Sequence, residues 1–152
     1  MERIQKTIAE AGITSRKKAE LLILAGKVKV NGQVVTELGF KAPKSAVIEV
    51  NGQVIRKEEK VYYLLNKPRK VICTNGDKKG RTTVIELIDT KERIYPVGRL
   101  DYDTTGLIIL TNDGEFANEV IHPKFIIEKV YDVTIKGILT GLQISELEKG
   151  ID

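Results

Sequence analysis

Two Asn-Gly dipeptides, each beside alternating apolar residues, constrain most strongly what the first third of this chain can fold into. Asn-Gly is the strongest short signal for a two-residue hairpin turn, because both turn residues need positive φ angles. Asn31-Gly32 divides the alternating segment 28–34, and Asn51-Gly52 follows the alternating segment 47–50. The pattern predicts a β-hairpin at the first dipeptide and a further turn at the second.

Apolar residues at helical spacing precede these turns. They recur at helical intervals over residues 4–11, and Gly12 follows as a natural end of that helix. Thr14 or Ser15 can cap a second helix, whose apolar stripe continues up to Gly26. The sequence therefore predicts a compact helix–helix–hairpin module that ends near residue 55.

The rest of the chain has a different pattern of apolar residues, with short apolar segments typical of strands. Residues 61–65 predict a strand that Pro68 halts, and the continuous apolar run 107–110 predicts a buried strand. Residues 130–135 predict one more strand. We expect an α+β fold in which the sheet of this second part is largely antiparallel.

Turn and cap residues punctuate this second part. Residues 95–101 predict a loop, residues 113–114 predict a turn, and residues 116–121 predict a helix. Thr140 and Gln143 fit a capping box at the start of a last helix. Two leucines of that helix are expected to face inward, Leu142 and Leu147.

A charged stretch over residues 56–60 separates the helix–helix–hairpin module from the strand-rich second part and is predicted to be a linker. We therefore expect one domain over residues 1–57 and a second over residues 61–152.

The net charge of +4 conceals an uneven distribution. Residues 1–60 contain twelve basic and seven acidic side chains, whereas residues 61–152 contain thirteen and fourteen. A basic first part attracts polyanions through phosphate neutralisation, but a solvated lysine-rich surface explains the same numbers equally well. Charge alone does not decide between these two interpretations.

Several classes of protein are excluded by what the sequence lacks. One cysteine, Cys73, forbids an intramolecular disulfide, and one cysteine with one histidine cannot form a zinc site. Cys73 is expected to be a small apolar filler. No apolar run approaches the length of a membrane span, and the N-terminus lacks the apolar core of a signal peptide. We expect a cytoplasmic protein that has no membrane partner.

The segments 9–20 and 25–32 resemble the alpha-L RNA-binding module, and their register is too particular for a generic basic surface. The resemblance implies RNA binding, and elementary physics agrees with it. Basic residues in the first turn of the second helix lie where free backbone N–H groups also favour phosphate. Alternate residues of a strand share one face. The candidate RNA contacts are Arg16, Lys17 and Lys18 on the helix, with Lys27 and Lys29 on the strand.

Segment 98–114 is similar to the signature of the RsuA-like rRNA pseudouridine synthases. Flanking pieces match in the same order at 65–68, 122–123 and 129–131, so the resemblance covers essentially the whole chain. It implies isomerisation of one flipped-out uridine in ribosomal RNA, without a metal or an organic cofactor. The alternative is a non-catalytic RNA-binding protein, or an inactive fragment of such an enzyme.

The resemblance assigns roles to individual residues. Asp101 matches the family's catalytic nucleophile, Tyr131 the tyrosine that stacks on the uracil, and Arg99 a contact to phosphate or to the space of the extruded base. Lys67 is expected near RNA, with a solvated lysine as the alternative. Without the motif, Asp101 would fit a turn or cap role, which is the role expected of Asp103 and Asp113; Tyr131 could instead pack at the edge of the core.

Two features depart from the family pattern. Lys70 stands where the family usually has glycine, so its backbone is either ordinary or strained. The second domain is also shorter than the family's catalytic domain, which suggests an incomplete, C-terminally truncated domain. Exposed sheet edge and apolar surface would then favour self-association.

Overall fold

The computed structural model describes residues 1–150. Its first half forms an N-terminal module with two helices and six short strands. In chain order these are β1 (Glu2–Arg3), α1 (Ile4–Glu10), α2 (Arg16–Leu24), β2 (Val28–Val30), β3 (Gln33–Val34), β4 (Lys41–Ala42), β5 (Ile48–Val50) and β6 (Gln53–Val54).

Both Asn-Gly dipeptides form hairpin turns, as the sequence predicts. Asn31 and Asn51 have φ angles of 50° and 53°, and the glycines after them have 82° and 81°. Positive φ angles at both central residues are typical of a type I′ turn, whose backbone twist matches that of the flanking strands. The resulting antiparallel sheet has the strand order β3-β2-β5-β6.

The core of the N-terminal module lies between its two helices and this sheet. Ile4 and Ile8 of α1, Ala19 and Ile23 of α2, and Val28 of β2 have no exposed surface.

Of the two predicted caps of the second helix, Ser15 is the one observed. Its side chain accepts a hydrogen bond from the backbone N–H of Lys18.

The second half contains a three-stranded sheet with helices around it. Its elements are β7 (Tyr62–Lys67), a 3₁₀ turn (Ile85–Leu87), β8 (Tyr95–Val97), β9 (Gly106–Thr111), α3 (Gly114–Ile121), a 3₁₀ turn (Pro123–Phe125) and α4 (Gly141–Glu148). The strand order is β7-β9-β8, and both pairings are antiparallel. The predicted α+β class with an antiparallel sheet is confirmed. Within residues 1–150, no helix combines the length and the apolar character needed to cross a membrane.

The prediction of a loop over residues 95–101 is wrong at its start, where Tyr95–Val97 forms β8. Proline is uncommon inside strands, because it cannot donate to a ladder. Pro96 is nevertheless accommodated, since β8 pairs with β9 on one side and lies at an edge of the described sheet. An edge position leaves the missing N–H without consequence.

The predicted strand over residues 130–135 is not formed. Val130 and Val133 are 90% and 79% exposed, and the segment between the 3₁₀ turn and α4 contains no helix or strand. Alternating apolar residues form a strand only where a neighbouring edge supplies hydrogen bonds. Within the described residues, no strand lies beside this segment.

Helix α4 begins as predicted but packs differently. Thr140 and Gln143 form the capping box. The prediction that Leu142 and Leu147 face inward is wrong, because they are 72% and 45% exposed. A capping box forms from local hydrogen bonds alone, whereas burial needs a neighbouring element, and no residue of α4 is buried.

The predicted linker, residues 56–60, is fastened to both halves of the chain. Lys57 Nζ lies 2.6 Å from a Glu10 carboxylate oxygen of α1, and Lys60 Nζ lies 2.7 Å from Asp113 at the start of α3. Lys6 of α1 forms a further ion pair, at 2.6 Å, with Glu115 of α3. The linker therefore lies along the junction of the two halves.

Asp113 fits the cap role expected from the sequence. Its carboxylate accepts hydrogen bonds from the N–H groups of Glu115 and Phe116, at 3.0 and 3.2 Å, and from the Tyr62 hydroxyl at 2.8 Å. Burial by itself raises the pKa of Asp113, but these donors and the Lys60 ammonium outweigh it and lower that pKa to about 2.

Asp113→Asn should flatten the acid dependence of stability. The folded-state pKa of about 2 lies below the ordinary 3.8, so the charged carboxylate stabilises the fold above pH 4 and that contribution is lost as the pH falls through 2. Over this window the wild-type free energy of unfolding should fall by about 1–2 kcal/mol more than that of the variant, which keeps the capping oxygen. Urea unfolding at pH 5, 4, 3 and 2 measures the difference. Equal losses in both proteins would contradict this assignment.

Candidate functional site

Asp101 lies on a loop between β8 and β9, residues 98–105, here called the acid loop. The loop leaves β8 at Gly98, with φ 81°, and enters β9 at Gly106, with φ 137°, a backbone angle that side chains disfavour. The carbonyl of Asp101 accepts a hydrogen bond from the N–H of Thr104 at 3.1 Å. The carboxylate of Asp101 is exposed and has no hydrogen-bond donor among the described residues. It is therefore free to meet a ligand.

Residues 67–73, here called the anchor segment, hold the acid loop from the side of the core. The Lys67 ammonium is fully buried and donates to three carbonyls, those of Pro68 at 3.0 Å, Val71 at 2.8 Å and Tyr102 at 3.4 Å. The backbone N–H of Lys70 donates to the same Tyr102 carbonyl at 2.8 Å. Two donors thus fix the carbonyl of the residue that follows Asp101.

A second tie fixes the residue on the other side of Asp101. The Cys73 sulfur accepts a hydrogen bond from the backbone N–H of Leu100 at 3.3 Å. The Leu100 side chain packs against the core of the second half, which includes Val71 and Leu110. The expectation that Cys73 is only an apolar filler is therefore incomplete. Residues 100 and 102 are both held, and the side chain of Asp101 between them is exposed.

The prediction that Lys67 contacts RNA is contradicted by its burial. The period-two alternation of β7 places Lys67 on the same face as Tyr63 and Leu65, which is the face turned to the core. A buried ammonium is tolerated only when acceptors surround it, and the three carbonyls supply them. The alternation was a signal in the sequence that pointed to this position.

Lys70 adopts the strained alternative, with a φ of 64° in the left-handed region. Its ammonium lies 2.9 Å from Asp103, and Arg69 approaches the same carboxylate at 3.4 Å. The hydrogen bond from Lys70 lowers the pKa of Asp103. Lys70 Nζ also lies 5.2 Å from the centre of the Tyr102 ring. The left-handed backbone thus brings this side chain onto the acid loop.

Arg99 and Arg16 are far apart in the sequence but line the same cavity. This interdomain cleft has a volume of about 470 Å³ and lies between the N-terminal module and the acid loop. Sequence reasoning missed three further lining residues, Asn75, Arg93 and Tyr95. No local motif marks them, because only the pairing of β8 with β9 and the contacts of the linker bring them to this place.

The other basic residues predicted to bind RNA are all exposed. Lys17 and Lys18 lie in the first turn of α2. Lys29 faces solvent between the buried Val28 and Val30, and Lys27 precedes that strand. Their accessibility fits a basic RNA-facing surface, and their contact with RNA stays a prediction.

Tyr131 is 60% exposed and lies in the segment that contains no regular structure. The alternative in which it packs at the edge of the core is therefore wrong for this structure. Within residues 1–150, no hydrogen bond or ring contact joins it to the acid loop. The structure does not bring Tyr131 and Asp101 together, and the role of the tyrosine stays a prediction.

Comparison with known proteins identifies the family of this chain. A family model described as RNA pseudouridylate synthase matches residues 61–151, and a second, described as S4 domain, matches residues 2–48. The chain belongs to the RNA pseudouridylate synthase family. The resemblance drawn from segment 98–114 is thus confirmed.

The relatives that this chain resembles are longer than the chain itself. Ribosomal large subunit pseudouridine synthase B of Bacillus subtilis is 57% identical, over 99% of this chain and 62% of its own length. An uncharacterized RNA pseudouridine synthase of Aquifex aeolicus is 47% identical, over 99% of this chain and 61% of its own length. The chain spans about six tenths of the length of these relatives. A crystal structure of a pseudouridylate synthase covers 82% of this chain and 54% of its own, at 32% identity and a TM-score of 0.45.

Substitutions at Lys70 should separate backbone strain from side-chain contacts. Lys70→Gly and Lys70→Ala both remove the ammonium, but only glycine relieves the left-handed backbone. We expect the glycine variant to be more stable than the alanine variant by about 0.5–1 kcal/mol in chemical unfolding. At Lys79, an exposed loop lysine without a positive φ, the order should reverse. An alanine variant at position 70 as stable as the glycine variant would refute the strain.

Proposed function

We propose that the complete gene product isomerises a uridine of ribosomal RNA to pseudouridine, with Asp101 as the nucleophile. The observation that carries this proposal is the exposed carboxylate of Asp101 on a loop held on both sides by the anchor segment. Family membership supports the reaction type. The name of the Bacillus subtilis relative supports large-subunit ribosomal RNA as the substrate.

The reaction breaks the bond between the base and carbon 1′ of the sugar and rejoins the base through carbon 5. It therefore needs a nucleophile that bonds transiently to the sugar or to the base, and a base that removes the carbon-5 proton. Asp101 fits the first role by either route. An exposed carboxylate is reached only by a nucleotide rotated out of its helix, since the reacting atoms lie inside a stacked duplex. Tyr131 is our candidate for stacking and proton transfer.

Asp101 is a better candidate nucleophile than Asp103, the other acid of the loop, because the backbone on both sides of it is held. A nucleophile must be held in a near-attack position, because misplacement by about 1 Å can cost about 10²-fold in rate. The ties at Leu100 and Tyr102 hold the backbone on both sides of Asp101. Asp103 is instead occupied by Arg69 and Lys70.

RNA binding in this proposal begins with the N-terminal module. Its exposed basic side chains neutralise phosphates and release counterions, which gives affinity without sequence preference. The module and the acid loop would then contact one folded ribosomal RNA, in the cytoplasm. Self-association through open sheet edges stays a prediction of the sequence.

A non-catalytic RNA-binding protein is the second candidate, and it is favoured by one observation. Tyr131, the proposed partner of Asp101, makes no contact with the acid loop in the described residues. An assay of pseudouridine formation by the complete gene product separates the two candidates.

Asp101→Asn should abolish pseudouridine formation and leave RNA affinity nearly intact, because the amide has the same shape but is not a nucleophile. We expect the single-turnover rate to fall by at least about 10³-fold. Asp89→Asn, at an exposed acid outside the acid loop that forms no ion pair among the described residues, is the control and should retain most of the rate. Modified uridines counted in ribosomal RNA treated with each protein provide the measurement. A wild-type rate in the Asp101 variant would show that another group is the nucleophile.

A further inference from the structure

The interdomain cleft contains basic groups from both halves of the chain. Arg16 enters it from the start of α2, and Arg93 and Arg99 enter it from the two ends of the segment that includes β8. Its volume of about 470 Å³ lies within the usual range of ligand sites, about 300–1,000 Å³. Three arginines thus line one concave surface of suitable size.

The arginines of this cleft are not held in ion pairs. Among residues 1–150, none of the three arginines forms an ion pair. The acidic side chain on the lining, Glu10, is already paired with Lys57 at 2.6 Å and with Lys6 at 3.5 Å. An anion that entered the cleft would therefore meet guanidinium groups without having to displace a carboxylate.

Tyr95 marks the point where the two halves approach each other. A Cβ placed on Gly114 would lie 3.2 Å from the Tyr95 hydroxyl and 3.6 Å from a terminal nitrogen of Arg16, so both groups converge there. Burial and the Asp113 carboxylate raise the pKa of Tyr95, and the nearby positive charges of Arg16 and Arg93 oppose that shift. Both arginines therefore act on the same side chain from opposite sides of the junction.

The position of Arg93 is fixed through the linker. Its backbone N–H lies 3.4 Å from a carboxylate oxygen of Glu58, whose own N–H donates to the carbonyl of Glu10 in α1. On the other side, the amide of Asn75 donates to the carbonyl of Ile94 at 2.9 Å. These bonds hold the backbone at Arg93 and Ile94 against the linker and against Asn75.

The cleft also leads toward the proposed nucleophile. Arg99 is two residues before Asp101 on the acid loop, and Arg16 adjoins Lys17 and Lys18 on the module. An RNA strand bound in the cleft would connect the basic surface of the N-terminal module to the acid loop. Guanidinium groups are suited to holding such a strand, because their planar forks match phosphate oxygens in pairs.

We propose that the interdomain cleft binds a backbone phosphate of the RNA strand that carries the target uridine, with Arg16 and Arg93 as paired ligands from the two halves of the chain. This inference rests on the proposed function for its substrate. It adds a residue, Arg93, that no motif marks. It also gives the junction a role in positioning, because the bound phosphate fixes the register of the RNA relative to Asp101, as backbone contacts do.

The test is a set of binding measurements on the complete gene product in the Asp101→Asn background, where turnover cannot change the RNA. Arg93→Gln should weaken binding of a ribosomal RNA fragment about 3–10-fold and lower the slope of log affinity against log salt by roughly 0.7–0.9. Arg16→Gln should have a similar effect. The double variant should lose less than the product of the two, because both residues hold one phosphate.

Arg56→Gln is the matched control, since Arg56 is exposed on the linker and outside the cleft. It should show only the affinity change expected of a single distant charge, below about twofold. Melting temperatures within a few degrees of the parent identify variants that are folded. Arg93→Lys, which retains the charge without the fork, supplies a second measurement and should restore part of the salt slope.

An unchanged salt slope in Arg93→Gln, or fully multiplicative losses in the double variant, would overturn the inference. This failure is distinct from failure of the proposed function. If the parent enzyme forms pseudouridine and the Arg93 slope is unchanged, the cleft assignment alone is wrong. If no pseudouridine is formed but the slope falls and the double variant is non-multiplicative, the cleft still binds an RNA phosphate.

Discussion

The buried ammonium of Lys67 is the interaction on which the geometry of the candidate site depends. It lies at the end of β7, and its hydrogen bonds join that strand end to the anchor segment and to the acid loop. Removing a donor from a buried set of this kind leaves carbonyls without partners, at a cost of about 1–3 kcal/mol each. The Lys67 ammonium therefore stabilises the arrangement in which the end of β7, the residues that follow it in the anchor segment, and the acid loop lie together.

This arrangement explains how an exposed acid can be rigid. Loops on the surface are usually mobile, and a nucleophile needs both access and a fixed position. The acid loop satisfies both needs because its backbone is tied at Leu100 and Tyr102, while the residue between them faces outward. The same anchor segment carries Lys70, whose left-handed backbone is tolerated because its N–H and its ammonium both hold the loop. Local strain is thus compensated by contacts around Asp101.

Local signals in the sequence predicted local structure well. The Asn-Gly turns, the helix caps and the box at Thr140 depend on hydrogen bonds within a few residues, so a short segment contains all the information they need. Features that depend on distant partners were harder to predict. Residues 130–135 alternate like a strand but have no neighbouring edge among the described residues, and Pro96 enters a strand only because that strand lies at an edge.

The same distinction applies to the candidate site. A long motif predicts Asp101 as a site residue, and that role stays a prediction. Arg93 and Tyr95 reach the interdomain cleft only through tertiary contacts, which no motif records. The resemblance predicts Lys67 near RNA, whereas the alternation of its strand places it on the buried face. A charged residue at an inward position of a strand is better interpreted as a buried cation with carbonyl partners than as a surface ligand.

Hydrogen exchange of the acid loop tests most directly whether Lys67 holds it. In Lys67→Met, which keeps the length of the side chain but cannot donate, the amides of residues 99–105 should exchange at least about tenfold faster. The amides of α1 and α2 should keep their wild-type rates, as should the acid loop in the exposed control Lys29→Met. Accelerated exchange confined to the second half of the chain and greatest in the acid loop is the predicted result. Wild-type exchange of residues 99–105 in a folded Lys67→Met protein would contradict the account.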